Sequence, residues 1–155
     1  MKKFLNFDKL QKDYLGGMLK NSNNMDWFAT EDGDTTYINT PYFIAAIPTR
    51  DCFIKSGIEG HSMRNEAIKN MMQGAHDRQI EDTGLEKKAH NKTVKIFRFI
   101  DGDCEEIWID AAFYKYFEKV GDNLTLTGTT DKAPLFIEWG DYLAGLILPI
   151  NKDRF

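Results

Sequence analysis

The chain has 155 residues, of which 42% are hydrophobic and 28% charged, and these values argue against both a disordered chain and a fibre. This length suits one folded domain with a sizeable core. The formal net charge of -4 argues against a nonspecific nucleic-acid coat, although an acidic protein can still carry one basic face.

The sequence predicts a cytoplasmic protein without a membrane segment. No apolar run is long enough to span a bilayer, and the start MKKFLNFDKL has two lysines but no apolar core of a signal peptide behind them. Cys52 and Cys104 show neither CxxC nor Cys/His spacing, so we expect them to be reduced thiols.

The predicted elements follow a pattern that occurs twice, in residues 1–53 and 103–155. The stretches IAAIPTRDCF and LILPINKDRF close the two copies, each with an apolar run before a proline and a final Asp, one residue, Phe. Each copy begins with a strand-like run, FLNF or EIWI. An aspartate follows, Asp8 or Asp110, which is suited to cap the N-terminus of a helix.

A helix and three strands follow each aspartate. The apolar positions recur at helical spacing, and they are Leu10, Tyr14, Leu15, Met18 and Leu19 in the first copy and Ala112, Phe113, Tyr116, Phe117 and Val120 in the second. The strand-like runs are MDWFAT, TTYINT and YFIAAIP, and then NLTLTG, PLFIEW and YLAGLILP.

The segment between the copies, about 54–102, has a different character. SMRNEAIKNMMQGAHDRQI predicts a helix starting near Ser62, a polar loop follows, and TVKIFRFI with CEEIWID predicts a hairpin joined at DGD. Half-domains of about 50 residues bury little core alone. We therefore expect a single α+β domain over 1–155, in which two similar sheets pack together, the two repeated helices lie side by side and the central helix is an insertion.

The run EIWIDAAFYKYFEKVGDNLTLTGTTDKAPLFIEWGDYLAGLILPI (106–150) resembles the final half of a bacterial DNA polymerase sliding clamp. The similarity lies in the order of a strand, a tyrosine-bearing helix, a VTL-type strand, a proline-led strand and an apolar strand ending near a proline. The resemblance implies a DNA-clamp-like fold whose helices face duplex DNA. This chain has one domain's worth of sequence, so a ring like that of the clamps would need about six copies or the addition of other chains.

The resemblance implies that lysines on the two repeated helices contact DNA phosphates without reading sequence. The candidates are Lys9, Lys12, Lys20, Lys115 and Lys119. The alternative is that these lysines belong to ordinary solvated helix faces, which Asp13 and Glu118 would make less basic.

Two further groups are candidates for binding a protein partner. In clamps the end of the terminal strand helps to form a groove for short peptides, and Leu148, Pro149 and Ile150 occupy that end here; the alternative is edge-strand packing. Met71 and Met72 could offer an adaptable apolar surface, with burial in the core as the alternative.

No catalytic motif is present in the sequence. His61, His76 and His90 lack metal-ligand spacing, and neither GxxxxGK[ST] nor GxGxxG occurs. We therefore predict no enzyme, metal or cofactor. The leading hypothesis is an accessory protein of DNA metabolism that assembles as an oligomer on duplex DNA or binds replication or repair proteins. The alternative is a protein-interaction module that binds no DNA.

Overall fold

The computed structural model describes residues 7–20, 28–53, 62–74, 76–102, 105–118 and 124–154. Its helices are α1 (Asp8–Lys20), α2 (Ser62–Met72) and α3 (Ala111–Glu118). Its strands are β1 (Phe28–Asp32), β2 (Thr35–Asn39), β3 (Phe43–Pro48), β4 (Arg78–Ala89), β5 (Lys92–Phe99), β6 (Glu106–Asp110), β7 (Leu124–Gly128), β8 (Leu135–Trp139) and β9 (Tyr142–Ile147). Short 3-10 turns cover Thr49–Asp51 and Lys152–Arg154.

The described strands form one antiparallel sheet of nine strands in the order β1-β2-β3-β9-β8-β7-β4-β5-β6. The meander β1–β3 meets the meander β7–β9 where β3 pairs with β9, with Phe43 opposite Ile147. The sheet then continues from β7 into β4, through Ile80 opposite Leu126, and ends at β6.

The predicted α+β, clamp-like fold is therefore wrong, because this is a mainly β fold built on a single sheet. The prediction placed the strands of the two copies in two similar sheets that pack together. Main-chain hydrogen bonding between β3 and β9 instead joins the copies edge to edge. This pairing satisfies backbone groups that two separate sheets would leave open at an edge.

Strand β4 is the largest local departure from the prediction. Its sequence RQIEDTGLEKKA is mostly polar and exposed, and the segment was expected to be the end of a helix and a loop. The helix α2 instead ends at Met72, and β4 pairs with β5 on one side and β7 on the other. Backbone pairing, which has no side-chain signature here, holds β4 in the sheet. The predicted hairpin of β5 and β6 is confirmed, with Ile96 opposite Trp108.

The sheet is covered on both faces at its centre. The main core lies under α1 and α3 and includes Phe7, Leu10, Tyr14, Tyr114 and Phe117. A smaller cluster on the opposite face contains Ile68 and Met72 of α2 with Ile44, Ala46, Phe136 and Leu146. Because successive side chains of a strand point to opposite faces, double coverage explains why FIAAI in β3 is continuously apolar and buried.

The helices α1 and α3 lie side by side, as expected from the sequence. The hydroxyl of Tyr116 donates a hydrogen bond to Asp13 Oδ2 at 2.6 Å, and the rings of Phe7 and Phe117 meet edge to face at 5.6 Å. Asp110 caps α3 as predicted, since its Oδ1 accepts the Ala112 N–H at 2.9 Å.

Candidate partner-binding pocket

The turn before β3 presents an exposed aromatic side chain. The buried Thr40 hydroxyl accepts the backbone N–H groups of Tyr42 at 3.1 Å and Phe43 at 3.0 Å, which fixes the turn. Tyr42 itself stays 53% exposed, and its ring stacks on that of Phe113 in α3 with centroids 5.3 Å apart. Together these two rings make a rigid aromatic wall.

The segment 148–151 after β9 faces this wall and is held at two points. The Leu148 N–H donates to the Tyr42 carbonyl at 2.8 Å, and the Ile150 N–H donates to the Trp108 carbonyl at 2.8 Å. The segment therefore runs from the start of β3 to the edge strand β6. Lys152, which follows this segment, also contacts β6, because its ammonium lies 6.0 Å from the Trp108 ring centroid.

A pocket of about 510 Å³ opens between the aromatic wall and this segment. We call it the Tyr42 pocket, and it is lined by Tyr42, His90, Lys92, Asp110, Phe113, Leu148, Pro149, Ile150 and Asn151. Its volume falls in the range of about 300–1,000 Å³ that is usual for ligand sites. The walls are mainly apolar, and two of the polar side chains, Lys92 and Asp110, lie together at one corner.

Two charged side chains meet at this corner of the pocket, Asp110 and Lys92. Asp110 uses Oδ1 to cap α3, and its side chain is only 12% exposed. Its Oδ2 lies 3.9 Å from the ammonium of Lys92, which is longer than a hydrogen bond. The side chain of Lys92 is 56% exposed, so its ammonium faces solvent at the mouth of the pocket.

The structure brings three of the predicted partner-binding residues together, because Leu148, Pro149 and Ile150 all line the Tyr42 pocket. Their binding of a peptide stays a prediction. Sequence reasoning missed Tyr42 and Phe113. Phe113 lay in the apolar stripe of a predicted helix, and nothing in the sequence placed Tyr42 beside it.

The predicted methionine pair does not form one surface. Met72 is buried in the cluster under α2, whereas Met71 is 41% exposed. Neither methionine lines the Tyr42 pocket, which is built from other elements. A role for Met71 in partner binding stays a prediction, while Met72 contributes to the core.

The predicted DNA-contacting lysines that the structure describes are Lys9, Lys12 and Lys115, and all three are exposed on the paired helices α1 and α3. Lys9 is less available than the other two, because its ammonium lies 2.9 Å from Asp13 Oδ2. The side chain of Lys20 and the whole of Lys119 lie outside the described part of the chain.

Two hydrogen-bond donors meet at Asp13. Burial alone would raise the pKa of this carboxyl, but the hydrogen bonds from Tyr116 and Lys9 and the positive charge of Lys9 outweigh burial, so the pKa is lowered. Burial, together with the hydrogen bond to Asp13 and its charge, raises the pKa of the Tyr116 hydroxyl. The contact therefore links α1 and α3 most strongly while Asp13 is ionised.

The histidines form no catalytic relay that the described residues reveal. His76 Nδ1 lies 3.0 Å from Thr127 Oγ1 and also 3.0 Å from Glu138 Oε1. A serine-protease-type relay needs the nucleophile and the carboxylate on different ring nitrogens. His90 lies in the β4–β5 turn, and His61 is outside the described residues. Among the described side chains no three His, Cys, Asp or Glu groups come together as a metal site.

Comparison with protein-family models, curated proteins and solved structures finds no match for this chain. The resemblance to sliding clamps thus stays a hypothesis that rests on the residues that suggested it. None of the described helices combines the length and apolar character needed to cross a membrane.

Proposed function

We propose that this protein is a non-catalytic interaction module that holds a large apolar side chain of a partner protein in the Tyr42 pocket. The observation that carries the proposal is the convergence of three separate parts of the chain on one open apolar hollow: Tyr42 before β3, Phe113 in α3 and the segment after β9. Aromatic residues often contribute most of the binding energy in protein recognition, and binding sites are usually concave and mainly apolar.

The shape of the site favours binding a side chain over local packing. Leu148 stays 37% exposed and Tyr42 53% exposed, although both backbones are fixed by hydrogen bonds. A preformed apolar surface of this kind costs little conformational entropy when a partner covers it. The polar groups at the corner do not suggest chemistry, because Asp110 is occupied in capping α3.

The proposal places the protein in the cytoplasm, as the sequence prediction does. The two cysteines show no spacing typical of a disulfide framework or a metal site.

Selection of a displayed random peptide library against the purified protein tests the proposal. We expect enrichment of peptides with a large apolar or aromatic residue, and at least about tenfold weaker binding of a selected peptide to Phe113→Ala or Leu148→Asp. The matched control is Ile100→Asp, which changes an apolar residue that is also exposed but lies outside the pocket. Equal loss of binding in the control, or no loss in the pocket variants, would contradict the proposal.

A second candidate function is binding of duplex DNA, as an accessory protein of DNA metabolism. The observation that favours it is the side-by-side arrangement of α1 and α3, which puts Lys9, Lys12 and Lys115 on neighbouring exposed surfaces. Such lysines would contact phosphates, so binding should weaken steeply with salt.

Changing these three lysines to glutamate tests the DNA candidate. We expect the dependence of log affinity on log salt to fall by about one for each phosphate contact removed. The control is Lys132→Glu, which alters an exposed lysine in the β7–β8 connection. A duplex affinity that is undetectable at low salt, or that the triple variant leaves unchanged, would rule this candidate out.

A further inference from the structure

We infer that the partner carries an acidic residue next to the apolar side chain that enters the Tyr42 pocket, an inference that rests on the proposed function. The observation that carries it is the position of the β4–β5 hairpin, whose turn supplies both His90 and Lys92 to the rim. The pocket is apolar on one side and cationic at its mouth.

The hairpin turn holds this cationic side in place. Ala89 pairs with Lys92, and the two residues between them have positive φ angles, 51° for His90 and 64° for Asn91. This is the geometry of a type I′ turn, whose twist matches that of the flanking strands. Lys92 is therefore the first residue of a regular strand and not part of a loose loop.

The hairpin tip is basic over its whole described length. Residues 87–92 read KKAHNK, with three lysines, one histidine and no acidic residue, in a chain whose formal net charge is -4. Lys87, Lys88 and Lys92 are exposed. The preceding acidic residue, Glu86, lies opposite Lys95 in β5 and further from the turn. Among the described residues, the one carboxylate that lines the pocket is that of Asp110, which is largely buried.

These charges suit a carboxylate better than a phosphate backbone. A polyanion needs several cations spread along its path, whereas here two described basic residues of the turn, His90 and Lys92, line a pocket with apolar walls. A carboxylate beside the bound side chain could accept a hydrogen bond from Lys92 at the mouth, and opposite charges at a rim contribute to specificity and association rate. An acidic peptide segment is the occupant that satisfies both parts of the site.

The same peptide selection tests the inference through the residues that flank the apolar residue in the enriched peptides. We expect the enriched peptides to carry Asp or Glu within about two positions of the apolar residue. Replacing that Asp by Asn in a synthetic peptide should weaken binding about three- to tenfold at low salt. The difference should disappear in the protein variant Lys87→Gln/Lys88→Gln/Lys92→Gln and persist in the control Lys12→Gln, which changes an exposed lysine of α1 that does not line the pocket.

The outcomes separate the inference from the proposed function. Apolar enrichment without an acidic preference, or an acidic preference that survives the triple lysine variant, would overturn the inference and leave the pocket as a partner site. Failure to enrich any apolar peptide, or binding that Phe113→Ala and Leu148→Asp do not affect, would contradict the proposed function itself and the inference with it.

Discussion

At the scale of single residues, the carboxylate of Asp13 joins the two helices that cover the main core. Its folded pKa is lowered from the usual 3.8, so it contributes stability that is present above pH 3.8 and is lost as the pH falls through the lower folded value. We therefore expect Asp13→Asn to lower the free energy of unfolding at pH 7 and to have a smaller effect at pH 3. Urea denaturation at both pH values measures this difference, and an equal effect at both would contradict the assignment.

The backbone conformation of Asn91 in the β4–β5 turn leads to a second prediction at the residue scale. Its φ of 64° lies in the left-handed region, which costs a residue with an ordinary side chain about 1–2 kcal/mol and costs glycine nothing. We expect Asn91→Ala to be about 1 kcal/mol less stable than Asn91→Gly in chemical denaturation. Equal stability of the two variants would show that the turn does not hold this geometry in solution.

At the scale of elements, a glycine in β9 lets α3 approach the sheet. A Cβ on Gly145 would overlap the Ile44 carbonyl oxygen and the ring of Phe117. Because both neighbours are buried, Gly145→Ala should cost about 1–3 kcal/mol of unfolding free energy.

The matched control for this substitution is Gly16→Ala in α1, where nothing lies within 4 Å of the added carbon. We expect this variant to gain up to about 1 kcal/mol from better helix propensity. Opposite signs for two Gly→Ala changes, measured in the same denaturation experiment, would separate close packing from a general effect of alanine. A stable Gly145→Ala variant would contradict the contact between β9 and α3.

Periodicity and capping predicted most elements of this protein, but they could not predict how the elements assemble. The helices α1 and α3 and the runs that became β1–β3 and β5–β9 were visible, because their apolar spacing reports the face that each buries. Strand β4 was missed, since its mostly polar residues carry no such pattern, although backbone pairing fixes it in the sheet. The edge-to-edge pairing of β3 with β9 was missed because apolar spacing indicates which face a strand buries and not which strand lies beside it.

The candidate site was half predictable. The resemblance to sliding clamps suggested a partner site at Leu148, Pro149 and Ile150, and these residues do line the pocket. Tyr42 and Phe113 are 71 positions apart in the chain, and only the fold shows that their rings stack. The basic rim was hidden as well, because KKAHNK lies in the segment that was expected to be a loop.

At the scale of the whole molecule, both outer strands of the sheet have features that discourage pairing with another copy. The edge strand β1 ends in Glu31 and Asp32, and the edge of β6 already accepts the Ile150 N–H at the Trp108 carbonyl. Charged and covered edges oppose strand addition. We therefore expect a monomer of 17.9 kDa in light scattering over a range of protein and salt concentrations.

The oligomeric state also discriminates between the functions considered for this chain. A monomer suits an interaction module that binds its partner through one pocket. A discrete large oligomer would contradict the prediction, and it would favour the hypothesis of assembly on duplex DNA, since encircling a duplex requires several copies of so small a chain.

The central claim is that the Tyr42 pocket is the partner site, and methyl NMR of the labelled protein during titration with a selected peptide tests it most directly. The claim predicts progressive shifts of the Leu148 and Ile150 methyl signals, while that of Ile100, exposed outside the pocket, stays unchanged. Shifts concentrated at Met71, Leu85 or Ile100, with Leu148 and Ile150 unaffected, would contradict it and place the partner on another surface.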